Sequence, residues 1–165
     1  MAAIENIVQQ LSQALRQRSW RISTAESCTG GLIAGALTEL AGSSEVFEFG
    51  WVTYANRAKE QALQVPAAAL AQHGAVSEAV AIAMAQGAAA NAGAEMAIAV
   101  TGVAGPGGGS REKPVGTVWI AWYVNGVVRA EKKVFAGDRS AIRQATVRYS
   151  LAGALALLQK KRMSK

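Results

Sequence analysis

The stretch that most constrains the fold is Ser23-Thr24-Ala25-Glu26-Ser27-Cys28-Thr29-Gly30-Gly31. It follows a short β-prone run, Trp20-Arg21-Ile22, and precedes a helical pattern with apolar Leu32, Ile33, Ala36, Leu37 and Leu40. The order predicts strand, tight turn, helix N-terminus. Such a turn aims backbone N–H groups and the positive end of a helix dipole at one place. Anions bind there, and a nucleophile there has its developing charge stabilised. Ser27, Cys28 and Thr29 each carry an acceptor or nucleophile, and Gly30 and Gly31 leave room beside the backbone. The same residues also suit plain capping, because Ser and Thr are favoured N-caps and Gly serves turns.

The rest of the chain alternates in the same way. Ile4, Ile7, Val8, Leu11 and Leu15 form a helical stripe. Ala41 to Ser44 reads as a loop, and Gly50 to Tyr54 as a second strand. Asn56 is expected to cap a helix over 57–63, Pro66 to start a short one ending at Gln72, and Ser77-Glu78 to open an Ala-rich one ending near Gly93. Met96 to Val100 fits a buried strand and runs into a Gly-rich loop. Asn125-Gly126 between two β-rich runs signals a hairpin. Gly137-Asp138-Arg139-Ser140 opens the last helix. Helices separate the early strands and a hairpin comes late. The expected fold is therefore α/β: a single-domain three-layer α/β/α sandwich over residues 1–165, with a mixed sheet of about five or six strands and a frayed basic tail at 160–165. Ligands in such sheets bind beyond the strand ends, which singles out loops 23–31, 53–59, 101–114 and 136–143.

Composition narrows the chemistry. A single Cys excludes an internal disulfide and a Cys-based zinc cluster; no cofactor is expected. No apolar run reaches the roughly 18 residues of a membrane span, and no secretory pattern opens the sequence. The expected compartment is the cytoplasm. The net charge of +6 favours anionic ligands, a phosphorylated small molecule or nucleic acid. No basic–aromatic strand motif or helix-turn-helix supports nucleic acid. Trp119, Trp122 and Tyr123 near the hairpin would supply the contact surface of a homodimer.

His73 is the only histidine, and it sits at a helix-to-loop junction, so a Ser-His-Asp triad is not available. A Ser-Lys pair remains, with Tyr54 and Lys59 following the second strand. Lys59 would have to lose its proton from an ordinary pKa of about 10.4, through burial or a nearby cation such as Arg57. Lys59 as a solvated helix residue and Tyr54 as a core aromatic fit the same spacing. The two stand five apart, unlike the four-apart Tyr-Lys pair of short-chain dehydrogenases. Loop 102–110 could form an anion nest, but it lacks a P-loop ending and follows no Gly-x-Gly-x-x-Gly pattern; a mobile surface loop fits equally. Arg139 could grip a phosphate or be an exposed charge. Cys28 reads as a small buried residue, with no His to activate it.

Taken together, the residue blocks 24–31, 53–59, 74–78, 101–108 and 113–118, with Gly137-Asp138-Arg139, resemble the CinA C-terminal-domain family over about residues 5 to 158. The resemblance implies an α/β/α fold, no metal, and hydrolysis of nicotinamide mononucleotide to nicotinate mononucleotide and ammonia. It also implies Ser27 as nucleophile, helped by Lys59 and Tyr54. On that basis the backbone of Cys28, Thr29, Gly30 and Gly31 would hold the oxyanion. Arg139 and the loop containing Gly102 and Gly105 would hold the phosphate, with Thr101 and Asn56 as polar contacts. A catalytically silent nucleotide-binding domain, a Ser-Lys amidase for another phosphorylated amide and a nucleic-acid-binding module are the competing expectations.

Overall fold

The computed structural model describes residues 3–163. Its strands are β1 (Ile22–Glu26), β2 (Phe47–Val52), β3 (Met96–Gly102), β4 (Thr117–Val124) and β5 (Val127–Val134). They form one mixed sheet in the order β2-β1-β3-β4-β5. β2 and β3 lie parallel to β1, while β3–β4 and β4–β5 pair antiparallel. Helices α1 (Ile4–Arg18), α2 (Leu32–Thr38) and α6 (Arg139–Met163) cover one face. Helices α3 (Asn56–Leu63), α4 (Ala67–His73) and α5 (Glu78–Ala92) cover the other. This is the expected three-layer α/β/α arrangement.

The two faces follow from the two-residue period of a strand. Met96, Ile98 and Val100 point toward α1 and α6, among Leu11, Leu15, Ile142 and Leu151. Ala97 and Ala99, with Ala25 and Ala121, make a small-residue face that receives Val80, Met84 and Ala88 of α5. On α5 itself, a Cβ added to Gly87 would fall 2.1 Å from the Leu63 carbonyl oxygen, so α3 packs directly on that helix.

Several expected boundaries move. β1 includes Ser23 to Glu26, every residue buried, because it is a central strand paired on both sides and the ladder overrides the polar side chains. Ser23 Oγ and Thr24 Oγ1 are buried there without a hydrogen-bond partner. β2 starts at Phe47 and ends at Val52, which leaves Thr53 and Tyr54 outside the sheet. Asn56 is the first residue of α3 and not its cap; Ala55 holds that position. A 3-10 turn occupies Ser43–Glu45, where a loop was expected. Ser77 does cap α5, accepting the Val80 N–H at 3.3 Å. Of the basic tail, residues 160–163 continue α6, and residues 164–165 lie outside the described part. Of the three aromatic residues expected at a contact surface, Trp122 is withdrawn into the core, while Trp119 and Tyr123 keep partial exposure. Trp122 is buried with its Nε1–H on the Ser150 carbonyl, and Trp119 and Tyr123 pack against the α5 layer.

Candidate active site

The parallel strands β1, β2 and β3 end at the same edge of the sheet, and Ser27 follows the last residue of β1. Its N–H donates to Val100 O at 3.1 Å, tying it to β3, while Thr53 N–H donates to Glu26 O at 2.8 Å, tying in the residue after β2. The chain after β2 turns straight into α3, and Lys59 on its first turns reaches back under this edge. Lys59 Nζ lies 3.0 Å from Ser27 Oγ, 2.7 Å from Thr53 O and 3.4 Å from Tyr54 O.

Lys59 is only 1% exposed. Loss of water around the ammonium lowers its pKa from the ordinary 10.5 to about 8, against a small opposing pull from Cys28. Burial does this, not Arg57, which is exposed. A neutral amine has two N–H donors and one lone pair. The two carbonyls can take both donors, which turns the lone pair toward Ser27 Oγ. That is the arrangement of a base beside its nucleophile. Cys28 is the poorer nucleophile of the two, because burial pushes its thiol up to about 11.

A cleft of about 300 Å³ opens over this pair. It brings together Ser27, Cys28, Tyr54, Asn56, Lys59, Thr101, Gly102, Gly105 and Arg139, with Ala104, Gly107 and Gly108 of the Gly-rich loop. Arg139 Nη1 donates to Gly105 O at 2.7 Å and Nη2 to the Tyr54 hydroxyl at 2.9 Å, so it bridges two walls of the cleft. Tyr54 is 61% exposed and is no core aromatic. Its hydroxyl sits on Arg139, while Lys59 meets Ser27 without an intermediary. Thr101 is buried, its hydroxyl donating to Ala75 O at 3.0 Å. His73 is exposed at the end of α4, away from the cleft, and its carbonyl accepts from Lys113 Nζ at 2.9 Å.

Thr29, Gly30 and Gly31 do not line the cleft. The helix end expected to bind an anion is already filled, by Glu26. Its wholly buried carboxyl group accepts from the Ile33 N–H at 2.8 Å, the Ala34 N–H at 3.0 Å and the Thr29 hydroxyl at 2.6 Å. The Leu32 and Gly35 N–H groups go to Thr29 O and Gly31 O. Within the turn, Gly30 N–H donates to Ser27 O, whereas the N–H groups of Cys28 and Thr29 meet no protein oxygen among the described residues.

Glu26 and Arg143 are the participants that sequence reasoning missed. A carboxylate just before a helix with no Ser, Thr, Asp or Asn directly before Leu32 was the signal for the first. A second arginine one helical turn after Arg139 was the signal for the second.

Fold and cleft together define an α/β domain with a serine and a buried lysine in contact at the carboxyl ends of its parallel strands. The chain belongs to the CinA C-terminal domain family, which matches residues 4–158. The nicotinamide-nucleotide amidohydrolase PncC of Pseudomonas putida is 50% identical over 157 residues, 95% of this chain and 98% of that one. A CinA-like protein of Akkermansia muciniphila is 54% identical over 142 residues, but there the chain spans only 34% of the relative. The crystal structure of a CinA superfamily protein from Klebsiella pneumoniae 700603 superposes with a TM-score of 0.93 at 40% identity, covering 96% of this chain and 99% of that one. Among the described residues no helix is long and apolar enough to cross a membrane.

Proposed function

We propose that the chain is an amidohydrolase that converts nicotinamide mononucleotide to nicotinate mononucleotide and ammonia. The observation that carries this is the buried 3.0 Å contact between Lys59 Nζ and Ser27 Oγ in the cleft, in a chain half identical over nearly its whole length to a protein named for that activity. Ser27 Oγ attacks the carboxamide carbon and neutral Lys59 takes its proton. The cleft-lining Cys28 N–H receives the oxyanion, an interaction worth a few kcal/mol per donor. The C–N bond breaks as protonated Lys59 returns the proton to the leaving nitrogen, releasing ammonia. Water then attacks the acyl-serine, Lys59 again taking the proton and returning it to Ser27 Oγ. Arg139 and the N–H groups of the loop at Ala104 to Gly108 hold the phosphate. Asn56 and Thr101 flank the nucleotide, and Tyr54 keeps Arg139 in place. The reading includes a homodimer in the cytoplasm. The exposed Phe49 and Val52 on edge strand β2 offer a contact face, which light scattering would test.

The test is to incubate purified protein with nicotinamide mononucleotide and measure ammonia and nicotinate mononucleotide, beside Ser27→Ala and Lys59→Ala. Turnover lost in both variants is expected. Turnover surviving Ser27→Ala would overturn the mechanism, and binding without turnover by the wild type would identify a silent nucleotide-binding domain.

A further inference from the structure

We propose that Arg143 is a positioning residue for the turn that carries Ser27 and the cleft-facing Cys28; the proposal rests on the amidohydrolase reading above. Arg143 is half-buried on α6 and does not line the cleft. Its Nε donates to Cys28 O at 3.1 Å and its Nη2 to Thr29 O at 3.2 Å. A trans peptide holds its C=O and the next N–H in opposite directions. Gripping Cys28 O and Thr29 O therefore fixes the planes of the two peptides that follow Cys28, and with them the exit of the turn from the nucleophile.

Cys28 lines the cleft, and its N–H meets no protein oxygen among the described residues. A cleft-lining N–H directly after the nucleophile is placed to take a partner that arrives with the substrate. The oxyanion of the tetrahedral intermediate is that partner. On the other side, Glu26 holds the Thr29 hydroxyl. The turn is thus clamped between a carboxylate and a guanidinium. Arg139, one helical turn before Arg143, works inside the cleft, and Arg143 works behind its wall.

The test compares wild type with Arg143→Gln and Arg143→Lys on nicotinamide mononucleotide and on its thiocarboxamide analogue. In parallel, mass spectrometry follows the rate at which a fluorophosphonate labels Ser27. In Arg143→Gln, kcat on the carboxamide is expected to fall about 10- to 100-fold, the range for a misplaced reacting group, with KM within about twofold. Sulfur is a weak acceptor, so the carboxamide-to-thiocarboxamide rate ratio shrinks in the variant. Arg143→Lys recovers part of the loss, since a point charge replaces a two-pronged contact. The pH midpoint set by Lys59 stays in place, because Arg143 is not among the charges acting on it. A raised KM with unchanged kcat would overturn the proposal and make Arg143 a substrate-binding group. Equal losses on both substrates would also overturn it, leaving general structural support. Ser27 labelling keeps the two readings apart. If wild type leaves the nucleotide intact, the amidohydrolase reading fails, while slower labelling of Arg143→Gln still supports the clamp and equal labelling rejects it. Should Arg143→Gln fail to fold, Arg143→Lys carries the same readouts.

Discussion

The turns that leave the neighbouring parallel strands β1 and β3 are built in opposite ways. The turn after β1 is buried from Ser27 to Thr29 and anchored by the side chains of Glu26 and Arg143. The loop after β3 is exposed from Pro106 to Glu112, rich in glycine, and held mainly by Arg139, the Ser110–Lys113 contacts and the Val103 ladder to Gly116 and Thr117. A nucleophile has to be within a fraction of an ångström of its target, whereas a phosphate is satisfied by any cluster of donors of the right charge. On the proposed reading, rigid and adaptable halves of one cleft follow from those two demands.

That contrast can be broken from the rigid side first. Lys59→Met is expected to lower kcat by about 10²- to 10⁴-fold, the usual worth of a general base. In the wild type kcat/KM should rise with pH through about 8, because only the neutral amine accepts the Ser27 proton. Stability should move the same way. The unfolded chain holds the Lys59 proton up to about 10.5 and the folded one only to about 8, so this residue's contribution grows as pH rises between those values. Lys59→Met should flatten that slope in urea titrations across the window. Glu26→Gln leaves the Ala34 N–H facing an amide N–H₂. It should cost about 1–3 kcal/mol in denaturant unfolding and about 100-fold in kcat through a displaced turn.

Changes on the adaptable side should be milder. Arg139→Ala should raise KM by about tenfold or more, the worth of one charge-assisted contact, with a smaller change in kcat, as steady-state kinetics would read. Tyr54→Phe loses only the hydroxyl that meets Arg139 and should stay within about tenfold of wild type by the same assay; a loss as large as that of Lys59→Met would make Tyr54 the proton relay. Gly107→Ala adds a Cβ with nothing within 4 Å and should leave kcat/KM within about twofold.

Much of the architecture was legible in the sequence, because it rests on period and punctuation. Ser77 and Gly93 bracket α5, Asn125-Gly126 makes the hairpin, and the alternation at Met96 to Val100 sorts two faces. The buried polar run of β1 was not legible, since only pairing on both sides makes Ser23 and Thr24 strand residues. At the site, the resemblance supplied Ser27, Tyr54 and Lys59, and spacing alone left Lys59 open between surface and interior. What separates the two is the third dimension, which buries it against Thr53 O and Ser27. Glu26 and Arg143 stayed hidden for the same reason. Each acts on backbone groups, which carry no signature in residue type.

One consequence of the insulation of Lys59 concerns populations. With a pKa of about 8, roughly one molecule in ten holds the amine unprotonated at pH 7. With the ordinary value of 10.5 the share would be roughly one in three thousand. Excluding water from a single nitrogen therefore enlarges the share of molecules with a neutral amine roughly 300-fold, without any acidic or basic neighbour being recruited to do it.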